Sequence, residues 1–152
     1  SKIGFLFHDV ARFRSIVFDE FMQTHDLTRA QWWVLANLFR HDGLTQRDLA
    51  ERMEIGAVTM SGLIDRLEAQ GWVERRDDPK DRRVKRIWLT RRAEDIRPVV
   101  AKGVNQLNRT SMKGLTNEQI ENLVEMLRVI RTNLLEDVNA EPAPERKRHG
   151  TA

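Results

Sequence analysis

The chain has no cysteine and no tyrosine among its 152 residues. The first absence excludes disulfides, thiolate metal sites and cysteine redox sensing together. The second leaves few nucleophiles beyond ordinary serines. No apolar run approaches the ~18 residues of a membrane span. The N-terminus lacks a signal-peptide pattern, so the expected location is the cytoplasm. Glycine-rich phosphate loops, Gly-x-Ser-x-Gly elbows and helical His-Glu-x-x-His motifs are also missing. The four histidines, at 8, 25, 41 and 149, form no i, i+4 pair with a carboxylate on one helix face. Enzymatic chemistry therefore has no visible seat, and no metal or cofactor is expected.

What is present is charge, unevenly placed. The net charge is +3. Residues 1–44 hold 5 basic and 5 acidic side chains, and residues 93–152 hold 9 of each. Residues 45–92 hold 12 basic and 9 acidic, so the whole excess lies in the middle third. A localised basic excess is the footprint of a polyanion-binding face.

Hydrophobic periodicity divides the chain into helices and two short strands. Over residues 3–22, Leu6, Val10, Phe13, Val17 and Phe21 recur at helical spacing, widened by Ile3, Phe7 and Phe18. Thr28 with Gln31 makes a capping box for a helix striped by Trp32, Leu35, Leu38 and Phe39. His41-Asp42-Gly43 ends it. Thr45 with Asp48 predicts a second box and a short helix carrying Leu49, Ala50 and Met53. Another helix follows from Ala57 to Gln70, striped by Met60, Leu63, Ile64 and Leu67 and stopped at Gly71. The period then falls to 2: Trp72–Arg75 and Lys85–Leu89 predict strands around a charged turn at Asp78-Pro79. Thr90 opens a helix to about Met112, with a kink expected at Pro98. Thr116 and Gln119 box the last helix, striped by Ile120, Leu123, Val124, Leu127, Ile130, Leu134 and Val138. Residues 139–152 have no periodicity and predict a tail without fixed structure.

Helix, tight turn, helix, strand, charged turn, strand is the order of a winged helix-turn-helix. The expected class is mainly α (α+β), with dimerisation helices at 1–24 and 91–138 flanking a DNA-binding module at 28–90, all one domain over 1–138. A recognition helix hides one stripe and offers its other face to the major groove. Here that face is Ala57, Val58, Thr59, Ser61, Gly62, Asp65 and Arg66. Its small residues permit close approach, and Thr59, Ser61 and Arg66 can hydrogen-bond bases or phosphates. Thr45, Gln46 and Arg47 begin the preceding helix and offer N–H groups and side chains to a phosphate.

The stretch "DDPKDRRVKRIWLT" (77–90) packs five basic side chains and three carboxylates around one proline. As a wing it carries Arg82 and Arg83 at its tip, with Lys85 behind them. Arginine suits a narrow minor groove, where negative potential concentrates. Asp81 would pair with an arginine and hold the hairpin's shape. An aromatic carboxylate needs an aromatic wall and a cation. Trp32 and Trp33, with His8 and Arg12 one turn apart on the first helix, are candidates.

Four segments carry a resemblance to a known family: "LTRAQWWVLANL", "LTQRDLAERMEI", "LIDRLEAQGWVERR" and, above all, "DPKDRRVKRIWLT". Over residues 4–137 the chain resembles transcription regulators of the MarR family, in particular the SlyA-like branch. The resemblance implies a homodimer joined through its terminal helices on a pseudo-palindromic double-stranded DNA operator. It also implies a small ligand, often an aromatic acid, bound between the dimerisation helices and the DNA-binding lobe. Arg83 is then the minor-groove residue and Asp81 its support. The chain departs from similar members at Gly62, where they often carry arginine. The expected function is a repressor released by an aromatic acid or thioester. The alternatives are a non-sensing DNA binder that displaces other proteins, and an adaptor that has kept a winged domain without DNA binding.

Overall fold

In the computed structural model, residues 1–140 are described. Of the tail expected over residues 139–152, residues 141–152, with His149, lie outside the described residues, while Asn139 is the last residue of the final helix and Ala140 its cap. The elements are α1 (Lys2–Gln23), α2 (Arg29–Arg40), α3 (Gln46–Met53), α4 (Ala57–Ala69), β1 (Val73–Asp77), β2 (Lys85–Leu89), α5 (Arg91–Ser111) and α6 (Asn117–Asn139). This is the winged helix-turn-helix order expected, with long helices at either end. The chain falls into two compact units, one running to Ser111 and one beginning at Met112. Among the described residues no helix is long and apolar enough to cross a membrane.

Side-chain caps start several of these helices. Thr28 accepts from the Gln31 N–H while the Gln31 side chain accepts from the Thr28 N–H, a complete capping box. Thr116 and Gln119 repeat it at α6. The box expected at α3 is only half made: Thr45 accepts from the Asp48 N–H at 3.0 Å, without the return bond. A carboxylate one methylene shorter than the glutamate of the usual box reaches back less easily.

The core of the first unit gathers around α4. Met60, Leu63, Ile64 and Leu67, the whole expected stripe, are buried. They join Leu35 and Leu38 of α2, Leu49 of α3 and the wing residues Val73 and Ile87 in one apolar cluster. Val34 is also fully buried, although it was not on the expected α2 stripe; Trp32 and Phe39 are only partly buried and face each other at 5.8 Å.

The strands pair antiparallel from Val73↔Leu89 to Asp77↔Lys85. The first therefore begins one residue later and ends two residues later than expected. Trp72 is buried outside the ladder: its carbonyl accepts from the Thr90 N–H, and the Arg92 guanidinium lies 3.9 Å from its ring. Helix α5 runs through Pro98 without interruption, since a missing N–H removes one bond of a 21-residue ladder.

Two apolar faces remain uncovered. In α1 only Met22 is buried, while Phe5 is 73% exposed and Leu6 62%. Helix α6 buries none of its residues, and Leu134 is 60% exposed.

The turn between α2 and α3 ties the wing to the core. The Gly43 N–H donates to the Ile87 carbonyl at 3.0 Å, and the Ile87 N–H donates to the Leu44 carbonyl at 2.9 Å. Gly43 has φ +74°, and a Cβ there would sit 2.5 Å from the Trp88 ring. Gly43→Ala combines left-handed strain with overpacking, so it should lower unfolding free energy by about 2–4 kcal/mol. Urea denaturation checks this; a midpoint equal to the parent's would contradict the close approach.

Candidate nucleic-acid interface

The residues singled out for DNA all lie in the first unit, exposed or partly exposed. In α4, Ala57, Val58, Thr59 and Arg66 are exposed, and Ser61 and Gly62 are partly so. Val58 is 88% exposed, an isolated apolar group with no core to join. Gly56 caps α4 without a side-chain bond, which leaves the first-turn N–H groups free of a side-chain partner. A Cβ at Gly62 would meet nothing within 4 Å, so packing does not demand glycine there; its smallness leaves the helix face open. Thr45 is committed to its cap. Gln46 accepts from Arg75 at 3.2 Å, and Arg47 pairs with Glu51 at 3.2 Å along exposed α3.

Opposed charges shape the wing. Asp78 accepts from the N–H groups of Lys80 (2.8 Å) and Asp81 (3.2 Å), while its other oxygen takes the Arg86 Nε at 2.6 Å. Arg86 in turn donates to the Gly43 carbonyl at 2.8 Å, anchoring the hairpin to the turn before α3. Asp81 accepts from the Arg83 backbone N–H at 3.0 Å and from its guanidinium at 3.1 and 3.2 Å. The Arg83 side chain is nonetheless 91% exposed, held at the tip rather than buried. Arg82 is exposed beside it, and Lys85 pairs with Asp77.

These contacts hold both turn carboxyls below the ordinary aspartate range: Asp78 chiefly through the Arg86 hydrogen bond, Asp81 chiefly through that of Arg83. The exposed Asp81–Arg83 pair contributes little stability, whereas Asp78 is largely buried in its pair with Arg86. The effect of both pairs is geometric.

Several positioning residues were not singled out in the sequence. Besides Asp78 and Arg86 they include Asp42, whose carboxylate accepts from the N–H groups of Gly43 (3.0 Å) and Leu89 (2.9 Å). Arg75 is another, on β1 with polar partners on α3 and α4. The mixture of signs in residues 77–86 hinted at such pairs, but the partners follow from strand register.

The ligand candidates do not come together. Trp32 and Trp33 line a cavity of about 520 Å³ with Phe18 of α1 and Val104 and Leu107 of α5. The cations at this cavity are Arg14 and Arg29, not Arg12. Arg14 is fixed by Ser111 and Asn108, each at 2.8 Å, and Arg29 by a two-pronged pair with Asp19. Arg12 lies elsewhere on α1, 3.5 Å from Asp9 and over the Phe13 ring; His8 is exposed one turn away. Among the described residues no three His, Asp or Glu side chains are grouped to hold a metal ion.

A buried-stripe helix with a small-residue outer face, preceded by a capped helix and followed by an arginine-tipped hairpin, defines a winged helix-turn-helix protein. A model of the MarR family matches residues 25–84. A MarR transcriptional regulator from Methanosarcina mazei Go1 has a similar structure: TM-score 0.78, 25% identity, over 88% of this chain and 96% of that one. The transcriptional regulator SlyA is similar at TM-score 0.74 and 29% identity, over 90% and 96% of the two chains. A mutant MarR from E. coli complexed with operator DNA is similar at TM-score 0.73 and 27% identity, over 85% and 93%. The uncharacterized HTH-type regulator YybA of Bacillus subtilis (strain 168) is 26% identical over 112 residues, 74% of this chain and 75% of that protein. The match over residues 25–84 and the likeness of the fold to these structures make the chain similar to MarR-family regulators.

A lowered folded pKa means that the Asp78 contribution is complete above the ordinary carboxylate range. It is lost as pH falls through the lowered value. A carboxyl-carbon NMR titration should therefore give Asp78 a midpoint below that of free aspartate, and Arg86→Met should raise it. An ordinary midpoint in the parent would mean that the Asp78–Arg86 anchor does not form in solution.

Proposed function

We propose that the protein is a homodimeric, sequence-specific double-stranded DNA-binding transcription regulator, without enzymatic activity, acting on a pseudo-palindromic operator. The observation that carries this reading is the joint placement of the α4 outer face and the Arg82–Arg83 tip by a single core. In this reading α4 enters a major groove, where Val58 and the Thr59 methyl meet thymine methyls and Ser61 and Arg66 meet base edges or phosphates. Arg83 enters the neighbouring minor groove, supported by Asp81, with Arg82 and Lys85 on the backbone. The start of α3, with Gln46 and Arg47, lies against a phosphate. The likeness to an operator-bound MarR supports this arrangement.

Dimerisation is supported by the uncovered apolar faces of α1 and α6, each larger than a solvated helix needs. A second copy is the natural cover, because two winged modules about one helical turn (~34 Å) apart read two half-sites. The wing signature and the 29% identity to SlyA support a SlyA-like placement within the family.

The regulator is further read as a repressor released by a small aromatic acid or thioester. The cavity beside Trp32 and Trp33 supports this, since it joins two aromatic walls to the Arg14 and Arg29 cations. A ligand there would act by favouring a wrongly spaced pair of recognition helices, a coupling of roughly 1–3 kcal/mol. Calorimetry with aromatic acids and their thioesters should detect binding, and the parent's affinity for its duplex should fall when the ligand is present. Heat from none of them, or unchanged duplex affinity, would favour the alternative reading, a non-sensing regulator that displaces other DNA-bound proteins.

The DNA reading is tested with a duplex selected by the parent from a random pool, titrated at several salt concentrations. Two chains should bind per duplex. Arg83→Ala should weaken binding by ~1–3 kcal/mol per groove contact. It should also flatten the salt dependence, because fewer counterions are released. If Arg83→Ala matches the parent at every salt concentration, residues 77–90 are not a DNA-reading wing.

A further inference from the structure

Arg75 sits in the middle of β1 with its side chain only 21% exposed, and its polar contacts join three elements. The Nε donates to Gln46 Oε1 at 3.2 Å, at the first turn of α3. One terminal nitrogen donates to the Asp65 carboxylate and lies 3.8 Å from Glu68. The other donates to the Ser61 carbonyl at 3.0 Å, inside α4. The backbone N–H adds a bond to Glu68 at 2.8 Å. All three guanidinium nitrogens are engaged within the protein.

Asp65 is the reason this matters. Its side chain is 64% exposed, on the same α4 face as Ser61 and Gly62, one turn away. An unpaired carboxylate there would repel phosphates and would accept a hydrogen bond from a cytosine amino group. We propose that Arg75 is a positioning residue for DNA recognition: it neutralises Asp65 and locks α4 to α3 and β1, so that the helix face meets DNA without a free carboxylate. The proposal rests on the DNA-binding reading above. A planar guanidinium suits the task because its fork reaches a carboxylate, a carbonyl and an amide at once, whereas a lysine ammonium is a point charge.

The test uses the full chain and the pool-selected duplex. Arg75→Gln, with parental helicity by circular dichroism, should bind at least about tenfold more weakly, the scale of like charges brought together at an interface. Its salt dependence should stay close to the parent's, since no phosphate contact is lost. Adding Asp65→Asn to Arg75→Gln should restore most of the affinity, which a purely structural role for Arg75 would not allow. Asp65→Asn alone, which can be scored even if Arg75→Gln fails to fold, should bind more tightly than the parent at low salt. Three results would overturn the proposal while leaving DNA binding intact: a salt slope for Arg75→Gln as flat as that of Arg83→Ala, no rescue in the double variant, or equal or weaker binding by Asp65→Asn. A parent that selects no duplex from the pool would remove the DNA-binding reading itself, and the proposal with it.

Discussion

Everything on the outer face of α4 depends on its other side being dry. Met60, Leu63, Ile64 and Leu67 are buried against α2, α3 and the wing. Each such side chain, fully buried, contributes about 1.5–3 kcal/mol relative to leaving it in water. A 13-residue helix is marginal by itself, so this burial is what holds α4 in place. Once the stripe is fixed, helical geometry dictates which positions point outward, and Val58, Ser61, Gly62 and Asp65 have no choice. The same cluster takes in Val73 and Ile87, so helix and hairpin are placed by one core.

Charge then acts on a scaffold already positioned. The middle of the chain mixes signs because carboxylates are needed to aim arginines, not because the excess is weak. Asp78 holds Arg86, which reaches the carbonyl before α3; Asp81 holds Arg83; Asp42 clips the far end of β2. An exposed pair such as Asp81–Arg83 adds little stability by itself. Collectively these pairs choose one hairpin shape among many that a polar turn could adopt.

The long helices pose a different demand. The apolar residues of α1 and α6 follow the period of amphipathic helices whose faces should be covered, yet in one chain they are not. That mismatch between pattern and burial is the physical case for a second copy. Beside α1, the cavity at Trp32 and Trp33 is floored by Phe18 and edged by two arginines already held in place by other side chains. Such fixed cations would bind an anion with little ordering penalty.

Local chemistry was enough to place most elements from the sequence. Thr28, Thr116 and Gly71 mark helix ends through bonds and dihedrals spanning a few residues, and the α4 stripe follows from period alone. The charged turn was readable as a wing because its arginines stand between two alternating runs. What the sequence could not determine is what depends on distant partners. Arg75 meets Gln46 across 29 residues, Arg86 meets Gly43 across 43, and Arg14 meets Asn108 across 94. Nothing local distinguishes Arg12 from Arg14 as a cavity cation; the side of α1 that faces α2 and α5 decides it. Strand register likewise set where β1 begins, leaving Trp72 to pack under Arg92 rather than pair. Helix ends and periods are short-range properties of the chain, whereas the identity of an ion-pair partner exists only once the core has brought the elements together.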